Sequence, residues 1–396
     1  MRSIFPHVPR QVKLLIYLSV FMAVGYGYLL TIIAAYLPEV GISSTQVGLI
    51  MGTSGLAMVV VAVPLGILSD RIGRKRILVF SMLLLVPGMF IFGITLNFGA
   101  LMIAAVLGGM AEGAFMASWN AMIADMTTLE NRDESFVMSF IINGGAMAVG
   151  SGLPLVFPVF ESFGLDKGAV HALAFVVLGL LMLVAPIMTA RLLHEYVADG
   201  VRNPSIQRGK HLNRMLRFSG CNALIGLGAG LIIPLVPTWL WLKYGVPDTY
   251  SGPMLALVGI TIGLAALLSA RLGRKYGSVR AIVLCQATST IFMVMIPLVP
   301  GAALAASVYV VRAILMNMAG PLADSYLMSI ISKEERGLAS AINSIVWRLP
   351  NSVTTFVGGA LLAAGIFDLP FFLAGLLYII AIMSFFVLFR NVKPYS

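Results

Sequence analysis

Of the chain's 396 residues, 59% are hydrophobic and only 11% are charged, against roughly a quarter charged in a soluble domain. A mean hydropathy of +0.98 exceeds what one aqueous core can bury, because a soluble domain of this size still exposes much of its surface to water. The bilayer is therefore the expected solvent, and the formal net charge of +10 has to be explained within that setting.

Twelve apolar stretches of about 20 residues, the length that crosses ~30 Å of hydrocarbon, follow one another along the chain. They cover 13–37, 47–69, 77–97, 99–124, 135–160 and 169–193, then 214–241, 250–270, 279–299, 302–325, 338–364 and 370–390. The first is too long for a signal-peptide core and has no small-residue cleavage site, so it reads as a span. The polar stretch between spans six and seven is the natural boundary. It predicts a six-helix bundle over 1–194, a cytoplasmic linker over 195–213 and a second six-helix bundle over 214–396. Cys221 and Cys285 lie in apolar runs and offer no disulfide framework.

With both termini cytoplasmic, 22 of the 26 Lys and Arg residues fall in inner segments. The outer loops hold only Lys167 and Lys243, while Arg312 and Arg348 lie inside spans. This is the positive-inside pattern, and it accounts for the basic balance without nucleic acid. It predicts a multi-pass protein of the cytoplasmic membrane.

A single gap-free offset of 204 residues relates the two halves: Gly48 to Gly252, Gly55 to Gly259, Gly73 to Gly277, Arg76 to Arg280, Arg132 to Arg336 and Leu165 to Leu369. Glycines carry most of this match, since helix-packing and turn positions tolerate few substitutes. Both halves begin and end on the same side, so they are parallel repeats about an axis along the membrane normal, an arrangement that places a substrate site near the midplane.

Between spans two and three the chain reads Gly66-Ile-Leu-Ser-Asp70-Arg71-Ile-Gly73-Arg74-Lys75-Arg76. A degenerate copy stands 204 residues on at Ala270, Arg274, Lys275, Gly277 and Arg280. Asp125 and Arg132 follow span four, echoed by Arg336. The loop resembles the signature G-x-L-x-D-R-x-G-R-[KR] of the major facilitator superfamily of secondary transporters, and the resemblance covers essentially the whole chain. Its motif pattern is most similar to the twelve-helix drug/proton antiporters. The resemblance implies an all-α membrane protein of twelve helices in two parallel six-helix repeats. It also implies an inner gate in which Asp70 meets the N-terminal end of span eleven, where an anion is favoured by about 0.3–1 kcal/mol. Gly66, Arg71, Gly73, Arg74, Arg132, Asp324 and Arg336 complete the expected gate set. The structural alternative is a plain basic loop.

Three ionisable residues stand at mid-span: Glu112 in span four, Arg312 in span ten and Arg348 in span eleven. A charge at the bilayer centre costs about 2.5–3.5 kcal/mol on insertion scales, so such residues face a cavity or each other. Their repeat mates are Met316, Gly108 and Gly144, so the shared fold does not need the charges. Three readings stand: arginines that bind an anionic substrate group with Glu112 coupling to protons, a structural ion pair, or a protonated Glu112 that only donates a hydrogen bond. Tyr26, Tyr28, Trp119, Asn120, Asn143, Asn222, Tyr309, Asn317, Asn343, Trp347 and Asn351 are at similar depths. Helix packing or interfacial anchoring is the alternative for each. The pattern departs from the antiporters at Gly109, where many of them carry an arginine, and span five holds only a loose glycine–proline motif.

The expected function is secondary active transport of a small organic solute by alternating access, coupled to protons, with export one possible direction. The expected partners are the lipid bilayer, an anionic or amphipathic small molecule and protons, and the expected state is a monomer. A lipid or lysolipid flippase, or an uptake carrier or uniporter for an organic anion, are the alternatives on the same fold. No cofactor, metal site or enzymatic activity is expected. His7, His171, His194 and His211 fall in or beside loops, and there is neither an H-E-x-x-H sequence nor a G-x-x-x-x-G-K-[ST] loop.

Overall fold

The computed structural model describes residues 5–128, 130–194, 212–331 and 336–392. The regular structure among them is helical: α1 (Arg10–Glu39), α2 (Ser44–Ile72), α3 (Arg74–Ile94), α4 (Phe98–Asp125), α5 (Arg132–Gly152), α6 (Phe157–Glu161), α7 (Lys167–Met182) and α8 (Val184–Leu192). There follow α9 (Leu212–Ile232), α10 (Val236–Tyr244), α11 (Asp248–Tyr276), α12 (Ser278–Met295), α13 (Ala302–Ser329), α14 (Arg336–Ala363) and α15 (Leu369–Phe389). Among the described residues, ten helical spans are long and apolar enough to cross a membrane. The helices α11 and α14, of 29 and 28 residues, match them in length, carry more polar side chains, and complete the twelve-helix fold. Most of the expected linker lies outside the described residues.

Several expected spans are broken helices. Span five is α5, a 3-10 turn over Leu153–Val156 and then α6, while span seven is α9, a 3-10 turn over Ile233–Leu235 and α10. Pro154, Pro158, Pro234 and Pro237 sit at these joints, where each lacks the N–H that would continue the ladder. Span six divides into α7 and α8 because Pro186 has no N–H to reach the Met182 carbonyl.

The repeat is visible in the helix boundaries. The starts of α2 and α11, α3 and α12, α4 and α13, and α5 and α14 are each 204 residues apart. Turn glycines repeat with them: Gly41 and Gly245 at φ 90° and 66°, and Gly73 and Gly277 at φ 110° and 79°. A side chain in this region of φ is strained, so these four turns require glycine.

The chain forms two compact units. Unit 1 holds α1 through Tyr36, α2 from Thr53, α3 to α8, and the stretch Asp248–Gly259 of α11. Unit 2 holds Leu37–Gly52, α9, α10, the rest of α11, and α12 to α15. In unit 1, α1 crosses α5 where a Cβ at Gly27 would overlap the Met147 carbonyl and one at Gly150 the Val24 carbonyl. In unit 2, α9 crosses α14 with Gly226 on the Trp347 carbonyl, Gly230 on that of Asn351 and Gly358 on that of Leu231. Apolar burial does not drive helices together within lipid, so backbone contact through glycine matters here. The opposite faces are apolar and open. On α15, Leu376, Ile380, Met383 and Val387 are exposed while Phe371, Ala374, Tyr378 and Phe385 are buried, one stripe for lipid and one for the unit's core.

Candidate functional site

At the α2–α3 turn, Gly73 lets the chain reverse within one residue, and charges gather on it. Arg74 lies 3.3 Å from Asp70 and its Nε is 2.8 Å from Asp125 at the end of α4. Lys75 donates to the Leu193 carbonyl at 2.7 Å, tying the end of α8 to the same turn. Arg132, opening α5, donates to the Ala124 carbonyl at 3.1 Å and to Thr127 Oγ1 at 3.4 Å, closing off the C-terminal end of α4. A Cβ at Gly66 would stand 3.7 Å from the Ala117 Cβ, ordinary contact, and Ser69 meets Ser118 at 3.1 Å. Arg71 and Asp70 are exposed. Asp70, Arg74, Asp125 and Arg132 therefore form one ionic and capping network across the ends of α2, α3, α4 and α5. Asp324 is exposed on α13, and the Arg336 side chain lies outside the described residues.

Deeper in unit 1, Glu112 is half-buried on α4, between Gly109 and Gly113. Trp119 stacks on Phe115 with centroids 4.9 Å apart and donates Nε1–H to Ser139 at 3.1 Å. Asn143 donates to the Ser139 carbonyl at 3.1 Å and accepts from Ser19 at 2.8 Å. Trp119 and Asn143 thus belong to one polar network joining α1, α4 and α5. Tyr26 is half-buried and Asn120 exposed.

In unit 2, Arg312 is 4% exposed. Its Nη2 donates to the Tyr378 hydroxyl at 2.8 Å and the guanidinium lies over that ring at 5.6 Å. Ser289 donates to the Arg312 carbonyl at 3.0 Å, so α12, α13 and α15 meet at this residue. Arg348, Trp347 and Asn317 are half-buried. Asn222 donates to Asn343 at 2.9 Å, and Asn351 reaches the Gly226 carbonyl at 3.4 Å.

A third group was not singled out from the sequence. Asp248, the first residue of α11, is fully buried, with Oδ1 2.7 Å from Lys167 Nζ and Oδ2 3.2 Å from His171 Nε2. His171 is 1% exposed, although its position suggested a loop edge. Its Nδ1 lies 2.9 Å from the Tyr28 hydroxyl, and its ring stacks on Tyr36 at 3.7 Å and meets Phe157 edge-on at 4.9 Å. One signal was present in the sequence: Lys167 and His171 are four apart and share a helix face. Their anionic partner, 77 positions further on, was not legible.

Comparison with known proteins settles the family. The model of the Major Facilitator Superfamily matches residues 15–216 and 218–396. The chain belongs to the major facilitator superfamily. It is 28% identical to the quinolone resistance protein NorA of Staphylococcus aureus over 182 residues, which are 46% of this chain and 44% of NorA. That match therefore spans less than half of NorA's length. It is 20% identical to multidrug resistance protein 2 of Bacillus subtilis over 379 residues, 92% of each chain. Among solved structures, a mutant of the nucleoside transporter NupG superposes with TM-score 0.79 at 13% identity, covering 96% of this chain and 100% of the other. A bacterial homologue of the human lysosomal transporter Spinster, inward-facing and unoccupied, gives 0.76 at 14%, covering 98% and 99%. These likenesses identify the same fold.

Within the superfamily, the departure at Gly109 has a steric cause in this chain. A Cβ there would overlap the Ser54 carbonyl and lie 2.9 Å from the Ala57 Cβ, and one at Gly113 would be 2.7 Å from the Met58 carbonyl. Here α4 lies backbone to backbone on α2, and no arginine fits at residue 109. Glu112, the acid in the middle of this helix, stands next to that contact instead.

Proposed function

We propose that this superfamily transporter moves a small, amphipathic organic solute by alternating access, driven by proton exchange, in the export direction. Glu112 carries the reading. It is the single ionisable side chain in the body of α4, its repeat mate is Met316, and nothing in the shared fold requires an acid there. A carboxyl group deep in a membrane protein is costly to keep unless it serves a pathway. The relatives with the names quinolone resistance protein and multidrug resistance protein support a drug-like solute and export.

In this reading the half-buried Arg348 meets an anionic or electronegative group of the solute, for which a planar guanidinium is suited. Arg312 supports the site from behind through Tyr378. Trp119, Asn143 and Tyr26 supply stacking and hydrogen bonds within unit 1, and Asn317 and Trp347 do so within unit 2. The Asp70–Arg74–Asp125–Arg132 network acts as the inner gate, with both termini on that side. The test is uptake into proteoliposomes under a pH gradient. Glu112→Gln is expected to abolish gradient-driven accumulation while retaining solute binding, measured by ligand-dependent thermal stabilisation. A Gln variant that still concentrates solute against its gradient would overturn the assignment.

A further inference from the structure

The buried group around His171 has a chemistry that the transport reading does not use. Asp248 is a fully buried carboxylate with a lysine and a histidine against it. Isolated buried carboxylates are not tolerated, so this one depends on both partners. The atoms that face the ring assign the histidine's tautomer. Nε2 faces the Asp248 carboxylate at 3.2 Å, so it carries a proton, since two lone pairs would otherwise face each other. Nδ1 then presents its lone pair to the Tyr28 hydroxyl at 2.9 Å, which donates to it. Tyr28 has a second acceptor within reach, the His171 backbone carbonyl at 3.5 Å. If a proton adds to Nδ1, the hydroxyl can turn to that carbonyl and accept from Nδ1–H. Both protonation states of the imidazole thus find partners without moving a heavy atom.

We propose that Tyr28, His171 and Asp248 form a proton-binding site at the outer end of unit 1, and that its occupancy sets how firmly the first turns of α11 are held against α1 and α7. The proton comes from the outer solution, binds Nδ1 of His171 and leaves the same way, with no other bond made or broken. Histidine is the side chain whose ordinary titration falls between about pH 5 and 8. The groups facing it are Tyr28 and Tyr36 from α1, Lys167 from α7, and Asp248 from α11. Asp166 is occupied as the cap of α7, accepting from Ala169 N–H at 3.3 Å. Glu39 and Glu161 are the other charges nearby in sequence on α1 and α6. Lys167 repels an added proton and Asp248 attracts it. The attraction exists only while Asp248 is docked, so proton binding and docking favour each other by linkage. Lower outer pH therefore tightens the contact, and at higher pH the neutral imidazole keeps its Nε2–H towards Asp248 without the added charge. The inference rests on the proposed orientation, with both termini on the inner side, for its outer side, and it is separable from the proton-coupled reading in the test.

The measurement is hydrogen–deuterium exchange of the Asp248–Gly259 segment in the full chain reconstituted in nanodiscs, corrected for intrinsic exchange rates. Protection of the wild-type segment is expected to be clearly higher at about pH 5.5 than at about pH 7.5, across the range in which histidine side chains ordinarily titrate. In His171→Gln the protection should become independent of pH, and Asp248→Asn should lose it throughout. Tyr28→Phe, which keeps the ring packing, should halve or abolish the pH dependence while leaving the segment docked at pH 7.5. Wild-type protection that does not change with pH, or a His171→Gln profile that follows the wild type, would overturn the site. Glu112→Gln separates the two readings. If it loses accumulation but keeps the pH-dependent protection, both stand. If the wild type shows the protection but no proton-driven accumulation, the coupled-transport reading falls alone.

Discussion

A buried cation is stable only where its donors have acceptors, and Arg312 shows what that demands of its neighbours. Its guanidinium is 4% exposed and finds the Tyr378 hydroxyl at 2.8 Å together with the face of the same ring. Removing the hydroxyl while keeping the ring leaves a buried charged donor without its acceptor, a loss of about 1–3 kcal/mol. Tyr378→Phe is therefore expected to lower the melting temperature in detergent by several degrees. If, as proposed, Arg312 lies behind the solute site, the apparent affinity for transported solutes should stay within about twofold, well under 1 kcal/mol. A loss of affinity with unchanged stability would move Arg312 into the binding surface. Sequence reading grouped Arg312 and Arg348 as equals because both are charges in apolar runs. The structure separates them by their burial, which depends on residues 66 positions away on α15.

At the scale of helices, close approach through glycine fixes which faces meet. The α1–α5 crossing puts the Gly150 position against the Val24 carbonyl and the Tyr28 nitrogen, so a side chain there must push backbone aside. Overpacking of this kind costs about 1–3 kcal/mol and more when backbone blocks the way. Gly150→Leu should yield little monodisperse protein by size-exclusion chromatography. Gly144→Leu, at a position with open space around it, should fold normally. Equal behaviour of the two variants would refute the crossing. Glycine spacings such as Gly109 with Gly113 and Gly226 with Gly230 were visible in the sequence. Which helix each one faces was not, because a small-residue stripe names a face and not a partner. Proline breaks in spans five, six and seven were equally latent: the prolines were visible, but their effect on helix continuity depends on the local ladder.

For the whole molecule, the 204-residue repeat sets corresponding helices and turns at corresponding places, and the charge distribution predicts how they cross the membrane. Cysteine labelling tests the orientation, since Cys221 and Cys285 are both buried and give little background. Phe163→Cys, at an 81% exposed position before α7, should react with an impermeant maleimide on intact cells. Arg76→Cys, on the signature turn, should react only after permeabilisation. Reversed labelling would invert the topology and with it the outer location of the His171 site.

Composition and periodicity alone determined the membrane class, the number of spans, the repeat and the signature turn, because each follows from local hydropathy, local charge or glycine at a fixed offset. The tertiary structure decided the rest. It joined Lys167 and His171 to Asp248, made Arg312 a packed residue of unit 2, and gave Gly109 its steric reason against α2. These are facts about which distant segments touch. Burial in a low-dielectric interior turns such contacts into large energies, while the sequence records only the residues that make them.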